Sequence, residues 1–109
     1  MQVKWTKTDQ WHVARFRSKN LDDCAEEAPL VLNYVVSLPP GSKVALSFRG
    51  VEWISSRVIS LILSAKAAAT KHGGQFALTT PNERVLEALK ITKLDQTLTI
   101  VESTNDLMT

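Results

Sequence analysis

From Lys43 to Lys90 the apolar residues alternate between a spacing of two and a spacing of three to four. That alternation narrows the possible folds more than any other feature of the chain. Val44, Leu46 and Phe48 share one side of a strand read over Lys43-Val44-Ala45-Leu46-Ser47-Phe48. From Ser56 to Lys71 the spacing turns helical, because Val58, Leu61, Ile62, Ala65, Ala68 and Ala69 gather within about a third of the circle at ~100° per residue. His72-Gly73-Gly74 supplies a glycine C-cap, and Gln75 to Thr79 reads as another buried strand. Thr80-Pro81-Asn82-Glu83 then reads as a capping box with proline at the first helical position. The helix it opens runs to about Lys90.

The flanks extend the pattern. Val3-Lys4-Trp5-Thr6 and Trp11-His12-Val13-Ala14-Arg15-Phe16-Arg17 alternate apolar and polar, and Thr8-Asp9-Gln10 between them suits a turn, so an antiparallel hairpin is expected. Asn20, Asp22 and Asp23 offer caps for a helix from about Asp23 to Leu38. Pro29 requires that this helix begin nearer Glu26 or kink, because a proline past the first turn removes a hydrogen bond. Pro39-Pro40-Gly41-Ser42 ends the helix, and Gly50 ends the strand that follows. Leu98 to Val101 is a last short strand, and Ser103 to Leu107 a terminal turn of helix. The order is β-β-α-β-α-β-α-β. Strands alternating with helices imply parallel pairs, and the hairpin makes the sheet mixed. The fold class is α/β: a mixed four- to five-stranded sheet with helices layered mainly on one face.

Composition removes several function classes. At 109 residues the chain reads as one domain, with 44% hydrophobic and 22% charged residues, a globular composition. A net charge of +2, with basic residues scattered rather than clustered, argues against nucleic acid. Cys24 is the one cysteine, so neither an intrachain disulfide nor a CxxC metal site exists, which fits a reducing compartment. The start, MQVKWTKTDQW, lacks the apolar core of a signal peptide, and no run approaches the ~18 apolar residues that a membrane span needs. A cytoplasmic protein with no direct membrane insertion is expected.

Candidate chemistry is sparse. His12 and His72 have no Cys or second His at ligand spacing, so no metal and no cofactor are expected. Cys24 reads as a small residue in a helix's first turn, and Asp22-Asp23 and Glu26-Glu27 as carboxylates favoured by a helix start. Trp5, Trp11 and Trp53 read as core residues, with half exposure the alternative for Trp53 because it immediately precedes the serines. No residues assemble a nucleophile, base and oxyanion donor, so no catalytic residue is assigned and the chain is not read as an enzyme. The stretch WISSRVISLIL, from Trp53 to Leu63, stands out. Ser55 and Ser56 lie where strand gives way to helix, and they are either a phosphorylation switch, a disabled remnant of one, or the polar cap of the helix. On the helical wheel Ile59 and Leu63 fall outside the core sector beside Ser56, Ser60 and Ala67. Small and apolar residues there suggest a shallow docking surface, unless Ile59 or Leu63 packs on a neighbouring helix.

Taken in order, several stretches resemble the STAS family (sulfate transporter and anti-sigma factor antagonist domains) over nearly the whole chain. They are Phe48-Arg49-Gly50-Val51-Glu52-Trp53-Ile54, the serine-bearing turn, Lys71-His72-Gly73-Gly74, Phe76-Ala77-Leu78, Pro81-Asn82-Glu83-Arg84-Val85 and Leu89-Lys90-Ile91-Thr92-Lys93-Leu94-Asp95. In bacterial antagonists of this family the turn before the second helix reads D-S-S/T-G, and its second hydroxyl residue is phosphorylated by the anti-sigma factor kinase. Here Ser55 takes the aspartate's place, Ser56 matches the serine, Arg57 occupies the phosphoacceptor position and Val58 replaces the glycine. An arginine is no substrate for a serine kinase, so Ser56, and after it Ser55, are the phosphoacceptor candidates.

The resemblance implies a non-catalytic domain that acts by partner switching in signal transduction. Its partner would be a GHKL-type anti-sigma kinase or a PP2C-type phosphatase, docked through Arg57, Ile59, Ser60 and Leu63. The alternative it implies is a STAS accessory subunit of a membrane transporter complex.

Overall fold

Each expected strand carries one apolar side toward the same interior, and the register shows how they join. The computed structural model describes residues 3–8, 10–16, 20–21, 27–96 and 98–102. Within these, strands β1 (Val3–Thr8) and β2 (Trp11–Phe16) pair antiparallel, as a hairpin must. β2 pairs in parallel with β4 (Lys43–Ser47), β4 with β6 (Gln75–Thr79), and β6 with β7 (Thr99–Val101). The five-stranded order is β1-β2-β4-β6-β7, the mixed sheet that alternating strands and helices imply. A second sheet, too short to show periodicity, joins β3 (Asn20–Leu21) and β5 (Trp53–Ile54) in parallel. Asn20, expected as a helix cap, is therefore a strand residue.

Helices α1 (Glu27–Ser37), α2 (Ser56–Lys71) and α3 (Glu83–Ile91) fill the crossovers. All three contribute to one hydrophobic cluster. Val31 and Val35 come from α1, Val58, Leu61, Ile62, Ala65 and Ala69 from α2, and Val85 and Leu89 from α3. They meet one alternate set of strand residues, including Ala14, Phe16, Val44, Leu46, Phe76 and Leu78, so the helices layer on one face of the sheet. On the other face, Trp11, Val13, Ala45 and Ala77 form a separate small cluster. Trp11 is thus buried, as expected, but away from the helices. Trp5 is half-buried on the helix side and stacks on Tyr34 of α1, ring centroids 3.8 Å apart.

α2 keeps the bounds its periodicity gives, Ser56 to Lys71. Its end is fixed by the glycine pair: Gly73 N–H donates to Thr70 O and Gly74 N–H to Ala69 O, each at 3.0 Å. A Cβ on Gly74 would run into the carbonyl of Ser42, so only glycine lets the Pro39–Ser42 turn lie this close. Burial contributes about 1.5–3 kcal/mol for each large apolar side chain that α2 inserts, against ~1 kcal/mol for a cap. Packing holds this helix more than its ends do.

One expected helix start needs correction. The cap of α3 is Asn82, not Thr80: Asn82 Oδ1 accepts from Val85 N–H at 2.9 Å. Thr80 has φ 54°, outside the extended region a cap adopts, and its N–H donates to Val101 O at 3.0 Å, tying it to the sheet. The described part of α1 runs from Glu27 to Ser37 and contains Pro29. The alternative starts of this helix near Asp23 and near Glu26, Cys24 in its first turn, and the turn of helix over 103–107 lie outside the described residues.

Candidate functional site

The segment between β4 and α2 is anchored by two buried residues, one on each side of an exposed pair. Val51 N–H donates to Phe48 O at 2.9 Å, closing a turn in which Gly50 adopts φ 84°, a left-handed conformation that favours glycine. Val51 and Ile54 are buried, whereas Glu52 and Trp53 face outward. Pairing of β5 with β3 holds Trp53 and Ile54 on opposite sides of the strand. Trp53 takes the half-exposed alternative, at 43%: a two-residue strand that buries Ile54 must turn its neighbour out.

Ser55 occupies the cap position of α2 with extended backbone angles, φ −97° and ψ 173°. Its carbonyl accepts from Val58 N–H at 3.1 Å and Ile59 N–H at 3.3 Å, but its side chain makes no cap hydrogen bond. Ser56 and Arg57 are exposed on the first turn, which carries no acidic residue. The positive end of the helix dipole and Arg57 together would favour a negative group there. Ser60 is exposed, and its hydroxyl donates back to Ser56 O at 3.4 Å. Leu63 lies one turn further and is 43% exposed, while Ile59 is half-buried against the main core. Ser56, Ser60 and Leu63 thus line one exposed stripe, with Arg57 beside it and Ile59 leaning inward. α1, which packs on α2, exposes Leu30 and Val36.

A residue that the sequence did not single out braces this site. Asn82 Nδ2 donates to Glu52 O at 3.2 Å, so the start of α3 is tied to the residue preceding Trp53. Glu52, Asn82, Glu83 and Arg84 border an open hollow of about 390 Å³ there. A polar residue with both donor and acceptor, three positions before the first apolar residue of a helix, is the only sequence signal for this brace.

The histidines lie elsewhere. His12 Nδ1 stands 3.3 Å from Tyr34 Oη, and burial, then the nearby positive charge of Lys7, holds the imidazole below its usual range. His72 is exposed at the end of α2. Among the described residues, no group of three or more His, Cys, Asp or Glu could hold a metal ion. No described helix is long and apolar enough to cross a membrane.

The profile of the STAS domain family matches residues 9–107. An anti-sigma factor antagonist domain protein of Planctomyces limnophilus superposes with a TM-score of 0.87 at 23% identity, over 96% of this chain and 93% of that one. The crystal structure of a candidate anti-sigma factor antagonist of Thermotoga maritima gives a TM-score of 0.76 at 27% identity, over 97% and 91%. A homologous candidate antagonist of Thermotoga neapolitana is 34% identical over 67 residues, 62% of this chain. The match spans 59% of that relative's length. The chain belongs to the STAS domain family, and its relatives are of the anti-sigma factor antagonist type.

Proposed function

We propose that this STAS domain is a regulatory protein-binding module that works by partner switching, docking another protein on the opening turns of α2. Arg57, Ser60 and Leu63 are the contact residues, with Ile59 supporting them from its half-buried position. The partner is a GHKL-type kinase acting as anti-sigma factor, or a PP2C-type phosphatase, and the encounter takes place in the cytoplasm. The module performs no chemistry of its own.

The observation that carries this reading is the exposure of Leu63 on a stripe with two serines, in a chain whose relatives are anti-sigma factor antagonists. A lone exposed leucine is ordinary. One that follows a braced turn and shares a face with small hydroxyl residues suits a shallow contact.

Phosphorylation, where it occurs, falls on Ser56 or after it on Ser55, since Arg57 fills the position that the D-S-S/T-G pattern gives to the phosphoacceptor. A phosphate adds ~1.5–2 negative charges at the centre of the docking surface and releases the partner. Intact mass after co-expression with a GHKL-type kinase encoded beside this chain's gene tests the reading. A complex that co-purifies, with a one-phosphate shift that disappears in Ser56→Ala, supports a switch. A complex without any shift supports docking that is competent at all times. Recovery of a transporter ATPase in place of kinase or phosphatase contradicts both.

A further inference from the structure

On the face of the sheet away from the helices, register brings together cations that the sequence scatters. Lys4 on β1 stands directly opposite Arg15 on β2, and Arg15 is in turn the neighbour of Ser47 on β4. Arg49, two residues on, points from the end of β4 toward the same place. With Thr6 and Val13 these residues line a hollow of about 200 Å³, and no carboxylate lines it among the described residues.

Two further features set this hollow apart from a solvated basic patch. Like charges directly opposite one another destabilise a strand pair, so Lys4 and Arg15 are placed against the interest of the hairpin unless an anion lies between them. Ser47, which lines the hollow, is 4% exposed; its Oγ accepts from Arg49 N–H at 3.4 Å, while its O–H donates to no acceptor among the described residues. A buried hydroxyl with an unused donor is costly without a ligand to receive it.

We infer that this hollow binds a small phosphate monoester. Three cations match a dianion better than a carboxylate, Arg15 and Arg49 offer planar forks suited to tetrahedral oxyanions, and the hydroxyls of Ser47 and Thr6 supply neutral donors. The volume leaves room for a short ester substituent beside the phosphate. The site lies across the sheet from the proposed docking helix, so it stands or falls independently of the proposed function.

The test uses the full chain, isotopically labelled, titrated with inorganic phosphate and with glycerol phosphate at constant ionic strength and a pH where both are dianionic. Saturable amide shifts centred on Thr6, Arg15, Ser47 and Arg49 are expected, with a rise in Tm as phosphate is added. Arg15→Gln should weaken binding by about tenfold or more. Its Tm without phosphate should hold or rise, because the like-charge pair is gone. Arg49→Gln, outside the strand, serves as the second variant and should weaken binding similarly. Shifts that chloride reproduces, or affinity unchanged in both variants, would overturn the inference. So would binding confined to phosphatidic-acid vesicles or to a DNA duplex, with no response to either soluble phosphate.

Discussion

Asn82 and Glu52 are joined across a separation of 30 residues: the Asn82 amide donates to the Glu52 carbonyl at 3.2 Å while its oxygen caps α3 through Val85 N–H. One side chain therefore starts one helix and steadies the turn that leads into another. Asn82→Ala is expected to cost about 1–2 kcal/mol, at the upper end for a lost cap because two bonds go at once. Asn82→Asp keeps the cap acceptor and loses the donor, so it should cost distinctly less. Urea unfolding midpoints of the two variants check this; equal losses would mean that the Glu52 bond contributes most of the effect.

Gly74 lies against the Ser42 carbonyl, and Gln75 N–H donates to that same oxygen at 3.3 Å. Gly74→Ala forces the α2 end away from the Pro39–Ser42 turn and should destabilise by about 1–3 kcal/mol. For a chain of this size that is a fall in Tm of roughly 4–8 °C per kcal/mol. Thermal unfolding followed by circular dichroism measures it.

His12 sits beside Tyr34, and burial, then the positive charge of Lys7, lowers its folded pKa. A lowered imidazole pKa means that the unfolded chain binds the proton more readily, so stability rises with pH across the titration. The contribution is complete above the unfolded value of about 6.5 and is lost as pH falls below it toward the folded value. Between pH 7 and pH 5.5, Tm should drop more in the wild type than in His12→Gln, and identical slopes would refute the assignment.

Much of this fold is legible in the sequence, for reasons that are local. α2 is sixteen residues long with one apolar stripe and a glycine pair at its end, so both period and punctuation agree. The cap of α3 is not legible in the same way. Thr80 and Asn82 are both good caps by type, and the choice falls to Asn82 because Thr80 N–H pairs with Val101, a contact made only when the sheet assembles. β3 and β5 have two residues each, too few to show alternation, and the exposure of Trp53 follows from them.

At the candidate site, the helix start and its serines are visible in the sequence, yet the difference between Ile59 and Leu63 is not. The wheel puts both outside the core sector, and packing then draws Ile59 onto the core and leaves Leu63 exposed. The basic hollow shows the same limit from the other side. Lys4, Arg15 and Arg49 are far apart in the chain, and only strand register makes them neighbours.

Binding calorimetry on a purified GHKL-type kinase, with Leu63→Asp set beside Ile91→Asp, tests the central claim most directly. Ile91 is the more exposed of the two, at 76%, but lies at the far end of α3. Both variants should fold with stability within about 0.5 kcal/mol of the wild type, since neither side chain is core. Affinity should fall by about thirtyfold or more in Leu63→Asp, as for a contact residue at the centre of an interface, and stay unchanged in Ile91→Asp. Undiminished affinity in Leu63→Asp, or an equal loss in both, would contradict docking on α2.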